Sequence, residues 1–141
     1  MVFYKNYSPQ VLKANMRVVG NSEYAILFYR DKLPKFRNNG RMVFNCIPMR
    51  RDTETPDIHP TQKPIHLLKF LIDTFTDPGD VVIDPCAGSG VSLLAAEQLS
   101  RKAFGFEIKR EYVKAFEEKL KPLSGYKELV FTDEIIKTRE G

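Results

Sequence analysis

The spacing of apolar residues changes once along this chain of 141 residues, across the segment 59–64 (HPTQKP). Upstream, residues 23–29 (EYAILFY) form a short apolar and aromatic run that stops at Arg30-Asp31-Lys32, which predicts a buried strand. Residues 34–40 read as a loop, with Asn38-Asn39-Gly40 as its turn. Residues 41–47 predict a second strand, in or near a hairpin with the first. Residues 50–60 are polar, hold Pro56 and Pro60, and predict an exposed loop.

Downstream the rhythm becomes strand–helix alternation. Pro64 suits a first helical turn, where its missing N–H costs nothing. Ile65, Leu68, Leu71, Ile72 and Phe75 then share one helical face, and Asp77-Pro78-Gly79-Asp80 ends that helix. Residues 81–84 (VVID) predict a short buried strand, and 86–90 a loop of small residues. Residues 91–99 predict a helix packing through Leu93, Leu94, Ala96 and Leu99. Residues 103–107 (AFGFE) predict a strand, and 110–120 a helix with Tyr112, Val113, Phe116 and Leu120 on its apolar face. Residues 126–131 predict one more strand. The expected class is α/β: an incomplete parallel sheet flanked by helices, preceded by an N-terminal strand or hairpin segment. The pattern divides the chain into 1–58 and 59–141.

Composition narrows the field. With 43% hydrophobic and 28% charged residues, the chain is an ordinary globular sequence and not a disordered or low-complexity one. No apolar run approaches the ~18 residues of a membrane span. Cys46 and Cys86 are far apart and fit two free thiols of a reducing cytoplasm; with His59 and His66 they lack the close pairing of a zinc site. The net charge of +4 is uneven: residues 1–63 carry +6 and residues 64–141 carry −2. Between Arg30 and Arg51 seven basic residues face Asp31 alone, which points to a polyanionic partner or to a plain solvated basic surface.

The chemistry concentrates in Asp84-Pro85-Cys86-Ala87-Gly88-Ser89-Gly90, a loop that follows a strand and opens a helix. Its small residues let a ligand approach the backbone closely. A phosphate loop needs a Lys after the last glycine, and none follows Gly90. A nicotinamide fingerprint needs a third glycine where Leu93 stands. An S-adenosylmethionine loop fits: Asp84 offers a carboxylate to a cationic ligand, and Gly88 and Gly90 admit it. A tight turn without a ligand is the plain alternative. Glu107 ends the next strand 19 residues after Gly88, where a carboxylate accepts hydrogen bonds from a ribose diol.

HPTQKP, a helix, DPCAGSG and the acidic strand end together resemble a DNA amino-methyltransferase of the circularly permuted β group, over residues 59 to about 120. Such enzymes methylate adenine N6 or cytosine N4 in double-stranded DNA, in restriction-modification or phage systems. The resemblance implies a Rossmann-like methyltransferase fold and S-adenosylmethionine as cofactor. It implies that Thr61, Gln62, Lys63 and Pro64 line the cofactor's amino-acid end. Asp84, Pro85, Cys86, Ala87, Gly88, Ser89 and Gly90 would form the methionine-side loop, and Glu107 would hold the ribose. Cys86 and Val91 replace the commoner aromatic and Thr of the family. In the front half, Lys32, Lys35, Arg37, Arg41, Arg50 and Arg51 would meet the DNA backbone.

The family's [D/N/S]-P-P-[Y/F/W] loop, which holds a flipped base, is not in these residues, since no two prolines are adjacent. In the permuted order that loop lies upstream, so the chain resembles the C-terminal part of the enzyme. No catalytic residue is assigned. The expected protein partner is the upstream half or a second copy, with self-association to cover open sheet edges. A catalytically inert binding remnant, one half of a split enzyme and a nicotinamide oxidoreductase are the rival readings.

Overall fold

The computed structural model describes residues 1–5, 20–32 and 35–125, and the backbone of 130–132. Two three-stranded sheets share one helix. The first sheet has the order β2-β1-β3, built from β1 (Val2–Lys5), β2 (Ser22–Tyr24) and β3 (Cys46–Met49). β1 lies antiparallel to β2, with Phe3 opposite Glu23, and parallel to β3, with Phe3 opposite Ile47.

This differs from the hairpin expected between residues 23–29 and 41–47. β1 takes the inner edge of both partners, so β2 and β3 never meet. Of those two regions only Ser22–Tyr24 and Cys46–Met49 are in strands, each paired with β1. The apolar run beyond Tyr24 leaves the sheet: Ile26 and Phe28 are 75% and 86% exposed, so this run is not a buried strand. The turn at Asn38-Asn39-Gly40 is present, with Asn39 and Gly40 at positive φ and the Gly40 N–H donating to the Asn38 side chain.

The second sheet follows the expected alternation: β4 (Val81–Asp84), α2 (Val91–Gln98), β5 (Lys102–Phe106), α3 (Arg110–Lys119) and β6 (Val130–Thr132), in the order β4-β5-β6. All pairings are parallel, with Asp84 opposite Gly105. Of the strand expected over 126–131, residues 126–129 lie outside the described residues. α2 is apolar almost all round. Val91 and Leu93 to Ala96 are buried, as a short helix between a sheet and a second helix requires. β4 is not a wholly buried strand. Alternation turns Val82 and Ala103 to the core and leaves Val81 and Ile83 at 52% and 62% exposure, beside exposed Phe104 and Phe106. Among the described residues, nothing is packed over that second face.

α1 (Ile65–Phe75) joins the two halves. Ile65 and Ile72 enter a core with Val91, Leu93, Leu94, Ala103, Phe116 and Leu120, against which Leu68 packs. Leu67, absent from the expected stripe, is buried against Phe3 and Met49, and Leu71 lies beside it. The single face read from the sequence is therefore two faces serving two cores. Pro64 has no side chain to cap this helix. Asp52 does so instead, from 13 residues upstream: its carboxylate accepts the Ile65 N–H at 2.9 Å and the Thr55 hydroxyl at 2.7 Å.

Burial pushes the Asp52 carboxyl up. The hydrogen bonds from Thr55, Ile65 and Glu54 outweigh it and hold the group below its ordinary range. A carboxyl depressed in the folded state stabilises the fold above its unfolded pKa and loses that effect as pH falls through the folded value. Asp52→Asn is therefore expected to flatten the fall in melting temperature between about pH 6 and about pH 3. Parallel curves for variant and wild type would remove Asp52 from the acid response.

No helix among the described residues is long and apolar enough to cross a membrane. No group of three or more His, Cys, Asp or Glu side chains among them is placed to hold a metal ion.

Candidate functional site

The loop after β4 is shaped by its own backbone. Gly88 and Gly90 have φ of 55° and 74°, a region that side chains beyond glycine rarely adopt. At Gly90 a second constraint applies, because a Cβ there would lie 2.5 Å from the ring of Phe116. Gly90 thus lets α2 start directly on the aromatic core. At Gly88 the space above the backbone is open as far as the His59 ring, 3.8 Å from where a Cβ would stand.

That space is a cleft of about 210 Å³ between the loop and the segment 59–63. Of the expected cofactor residues, Thr61, Gln62, Lys63, Asp84, Cys86, Ala87, Gly88 and Ser89 line it. Pro64, Pro85, Gly90 and Glu107 do not. Pro64 and Gly90 instead begin α1 and α2. Glu107 stands behind the loop: its carboxylate accepts the N–H of Gly88 and that of Lys109, both at 2.9 Å. It ties the end of β5 to the turn of the loop, and keeps further lone pairs for a ligand.

The amides of the loop are largely engaged. Cys86 N–H donates to Asp84, Ala87 N–H to the Phe106 carbonyl, Gly88 N–H to Glu107 and Gly90 N–H to the Ala87 carbonyl. A phosphate would find few free donors here. What the site presents is carboxylate. One Asp84 oxygen accepts the Ser92 hydroxyl and the other the Cys86 N–H. Two fixed carboxylates and a shallow glycine surface suit a ligand with hydroxyl groups and positive charge. A nucleoside bearing a cationic amino-acid tail has that chemistry.

The other wall is HPTQKP. The Thr61 N–H donates to His59 Nδ1 at 3.1 Å, and the His59 ring meets Tyr112 edge-on at 4.4 Å between centroids. The Gln62 amide is engaged away from the cleft, donating to Thr55 and the Pro56 carbonyl and accepting the Ile58 N–H. It braces the loop 55–58 rather than offering its polar atoms inward. His59, Leu68, Val91 and Ser92 also line the cleft and were not among the expected residues. Ser92 was readable in principle, since it stands in the first turn of the helix that the loop opens.

The expected DNA residues separate into two groups. Lys35 lies 2.7 Å from Asp77 and 3.2 Å from Asp80, and Arg37 lies 3.7 Å from Asp77. These two fasten the front segment to the end of α1. Lys32, Arg41 and Arg50 are exposed. Arg51 is exposed and engaged in an interaction of its own.

A parallel β-α-β unit with a glycine turn after its first strand and acids at both strand ends defines the Rossmann-like nucleoside-binding class. Within that class, the chain belongs to the N6/N4 DNA methylase family, whose model matches residues 1–118. It is 36% identical over 108 residues to the DNA adenine methyltransferase YhdJ of Escherichia coli, covering 74% of this chain and 37% of that protein. It is 44% identical over 63 residues to the type II methyltransferase M.HindIII of Haemophilus influenzae, covering 45% of this chain and 20% of that one. The chain thus spans well under half the length of these relatives. Among solved structures, M1.HpyAVI in complex with S-adenosylmethionine superposes with a TM-score of 0.68 at 27% identity, over 85% of this chain and 59% of that one. The cytosine-N4-specific PvuII DNA methyltransferase superposes with a TM-score of 0.69 at 26% identity, over 81% and 47%. The expected α/β methyltransferase fold is borne out.

Proposed function

We propose that these 141 residues form the cofactor-binding part of an S-adenosylmethionine-dependent methyltransferase acting on adenine N6 or cytosine N4 of double-stranded DNA, in a restriction-modification or phage setting in the cytoplasm. The observation that carries this reading is the cleft itself. A glycine surface with few free amides is lined by Asp84, backed by Glu107 through the Gly88 N–H, and faced by HPTQKP. In this reading Asp84 and Ser92 hold the amino-acid side, Glu107 holds the ribose hydroxyls, and Lys63 meets the carboxylate. The bound cofactor would supply the methyl group. The base-holding [D/N/S]-P-P-[Y/F/W] loop would come from polypeptide outside these residues, seated on the free edge of β4 and the apolar face made by Val81, Ile83, Phe104 and Phe106. Lys32, Arg41 and Arg50 would contribute phosphate contacts, giving affinity that falls steeply with salt.

Cys86 gives a test that needs no turnover. Both cysteines are exposed, and only Cys86 lines the cleft. Saturating S-adenosylmethionine is expected to slow alkylation of Cys86 at least about tenfold and to leave Cys46 unchanged, as read by mass spectrometry; the factor is the fraction of unliganded protein at ten times Kd. Equal protection of both thiols, or of neither, would sink the assignment of the cleft. Calorimetric titration of the same chain gives the stoichiometry, expected to be one.

A further inference from the structure

One charged cluster reaches from Lys63 of the cleft to two residues with no role assigned above, Glu23 and Lys5. Glu23, on β2, is three-quarters buried at its side chain. Its two oxygens take different partners: Lys5 of β1 at 2.9 Å and Lys63 of HPTQKP at 2.5 Å. Lys5 and Glu23 belong to the first sheet, whereas Lys63 lines the cleft beside the second. We propose that Glu23 is a positioning residue of the cofactor site, holding the Lys63 ammonium at the mouth of the cleft for the carboxylate of the cofactor's amino-acid end. This rests on the reading of the cleft given above and adds to it a residue from the front half of the chain.

Three features support the assignment. Among the described residues, Lys63 is the one Lys or Arg lining the cleft, and its side chain is still 46% exposed. An ammonium has three donors, so an ion pair with Glu23 leaves others for a ligand. A free lysine loses rotamer freedom on binding a ligand, and Glu23 has already restricted that freedom. The cluster contains two cations and one anion. With Lys5 offsetting the Glu23 charge, Lys63 remains net attractive to a carboxylate. Burial pushes the Glu23 carboxyl up, but the bonds from Lys63 and Lys5 outweigh this and hold it below its ordinary range, so it stays ionised at neutral pH.

The experiment compares S-adenosylmethionine with its decarboxylated analogue, by calorimetric titration of the 141-residue chain and of Glu23→Gln, Lys63→Met and the double variant. Glu23→Gln keeps the side-chain shape and removes its charge. It is expected to weaken S-adenosylmethionine about three- to tenfold, the loss from freeing one restrained side chain. It is expected to leave the decarboxylated analogue unchanged and to have no further effect in the Lys63→Met background. A purely structural role for Glu23 would weaken both ligands alike, or act equally with and without Lys63; either result overturns the proposal. So does full retention of carboxylate preference in Glu23→Gln. If wild type binds neither ligand, the reading of the cleft fails first and this inference with it. If wild type binds both and only the Glu23 effect is missing, the cleft stands and the positioning role falls.

Discussion

Gly90→Ala is expected to lower the unfolding free energy by about 2–5 kcal/mol, a large share of the roughly 5–15 kcal/mol that a domain has. Two costs act together. The residue sits at φ 74°, where a side chain costs about 1–2 kcal/mol. The new Cβ would also stand 2.5 Å from Phe116 Cδ2, and Phe116 is fully buried in the core. Overpacking of this kind costs about 1–3 kcal/mol more. The comparison with Gly88→Ala makes the test sharp. Gly88 shares the positive φ, but its Cβ would meet nothing nearer than His59 at 3.8 Å. It is expected to cost only about 1–2 kcal/mol in stability while filling the floor of the cleft, so ligand affinity should fall more than stability does. Urea unfolding of the two variants reads the difference. Equal destabilisation by both would mean that Phe116 yields, and that the loop is not braced on the core as described.

The second large effect is expected at Arg101. Its side chain is 2% exposed, yet each of its three nitrogens has an acceptor. Nε donates to the Thr76 hydroxyl at 2.9 Å, Nη1 to the Leu99 carbonyl at 2.6 Å, and Nη2 to the Thr76 carbonyl at 2.6 Å, with Asp73 at 3.3 Å. The guanidinium thus closes the end of α1 onto the turn between α2 and β5. Arg101→Ala leaves a cavity and strips two carbonyls of their charged donor. The expected cost is about 3–5 kcal/mol, typical of breaking a buried charged network from one side. Arg101→Lys should recover only part, since one ammonium cannot span both carbonyls in the plane that the guanidinium fork provides. A loss below about 1 kcal/mol in Arg101→Ala, by thermal or urea melts, would show that water replaces the network.

These two residues also mark how far a sequence can be read. The glycine loop was legible because its chemistry is local: an acid, small residues and a helix start stand within seven positions. HPTQKP was legible for the same reason, and so were the spans of α1 and α3 from their apolar periods and of α2 from the loop that opens it, though the second apolar face of α1 was not. The alternation of β4, α2, β5 and α3 then fixed a parallel sheet. Pairings made at long range were not legible. β1 is four residues with no turn signal of its own, and it separates the two strands that looked like a hairpin. Arg101 looks like any surface cation until Thr76 and Asp73 are brought beside it from more than twenty residues upstream. Lys35 and Arg37 counted toward a basic DNA surface, but Asp77 and Asp80 meet them after a gap of some forty residues. Within the site, Pro64, Pro85, Gly90 and Glu107 fall outside the lining of the cleft. Pro64 and Gly90 begin helices, and Glu107 ties the end of β5 to the loop while keeping lone pairs for a ligand.

α1 decides how the molecule comes apart. Of the three residues that fill the smaller core, Phe3 and Met49 come from the first sheet and Leu67 comes from the helix. That sheet therefore owns no complete interior. The boundary at residues 58 and 59, where the sequence changes rhythm, is not a seam along which two bodies separate. Loss of α1 would dissolve both cores at once, and the basic front and the cleft would melt as a single cooperative unit. A cut in the segment between β3 and Lys63 would still leave the pieces clasped by Leu67 and by the Lys63–Glu23 pair, a nicked molecule rather than two domains.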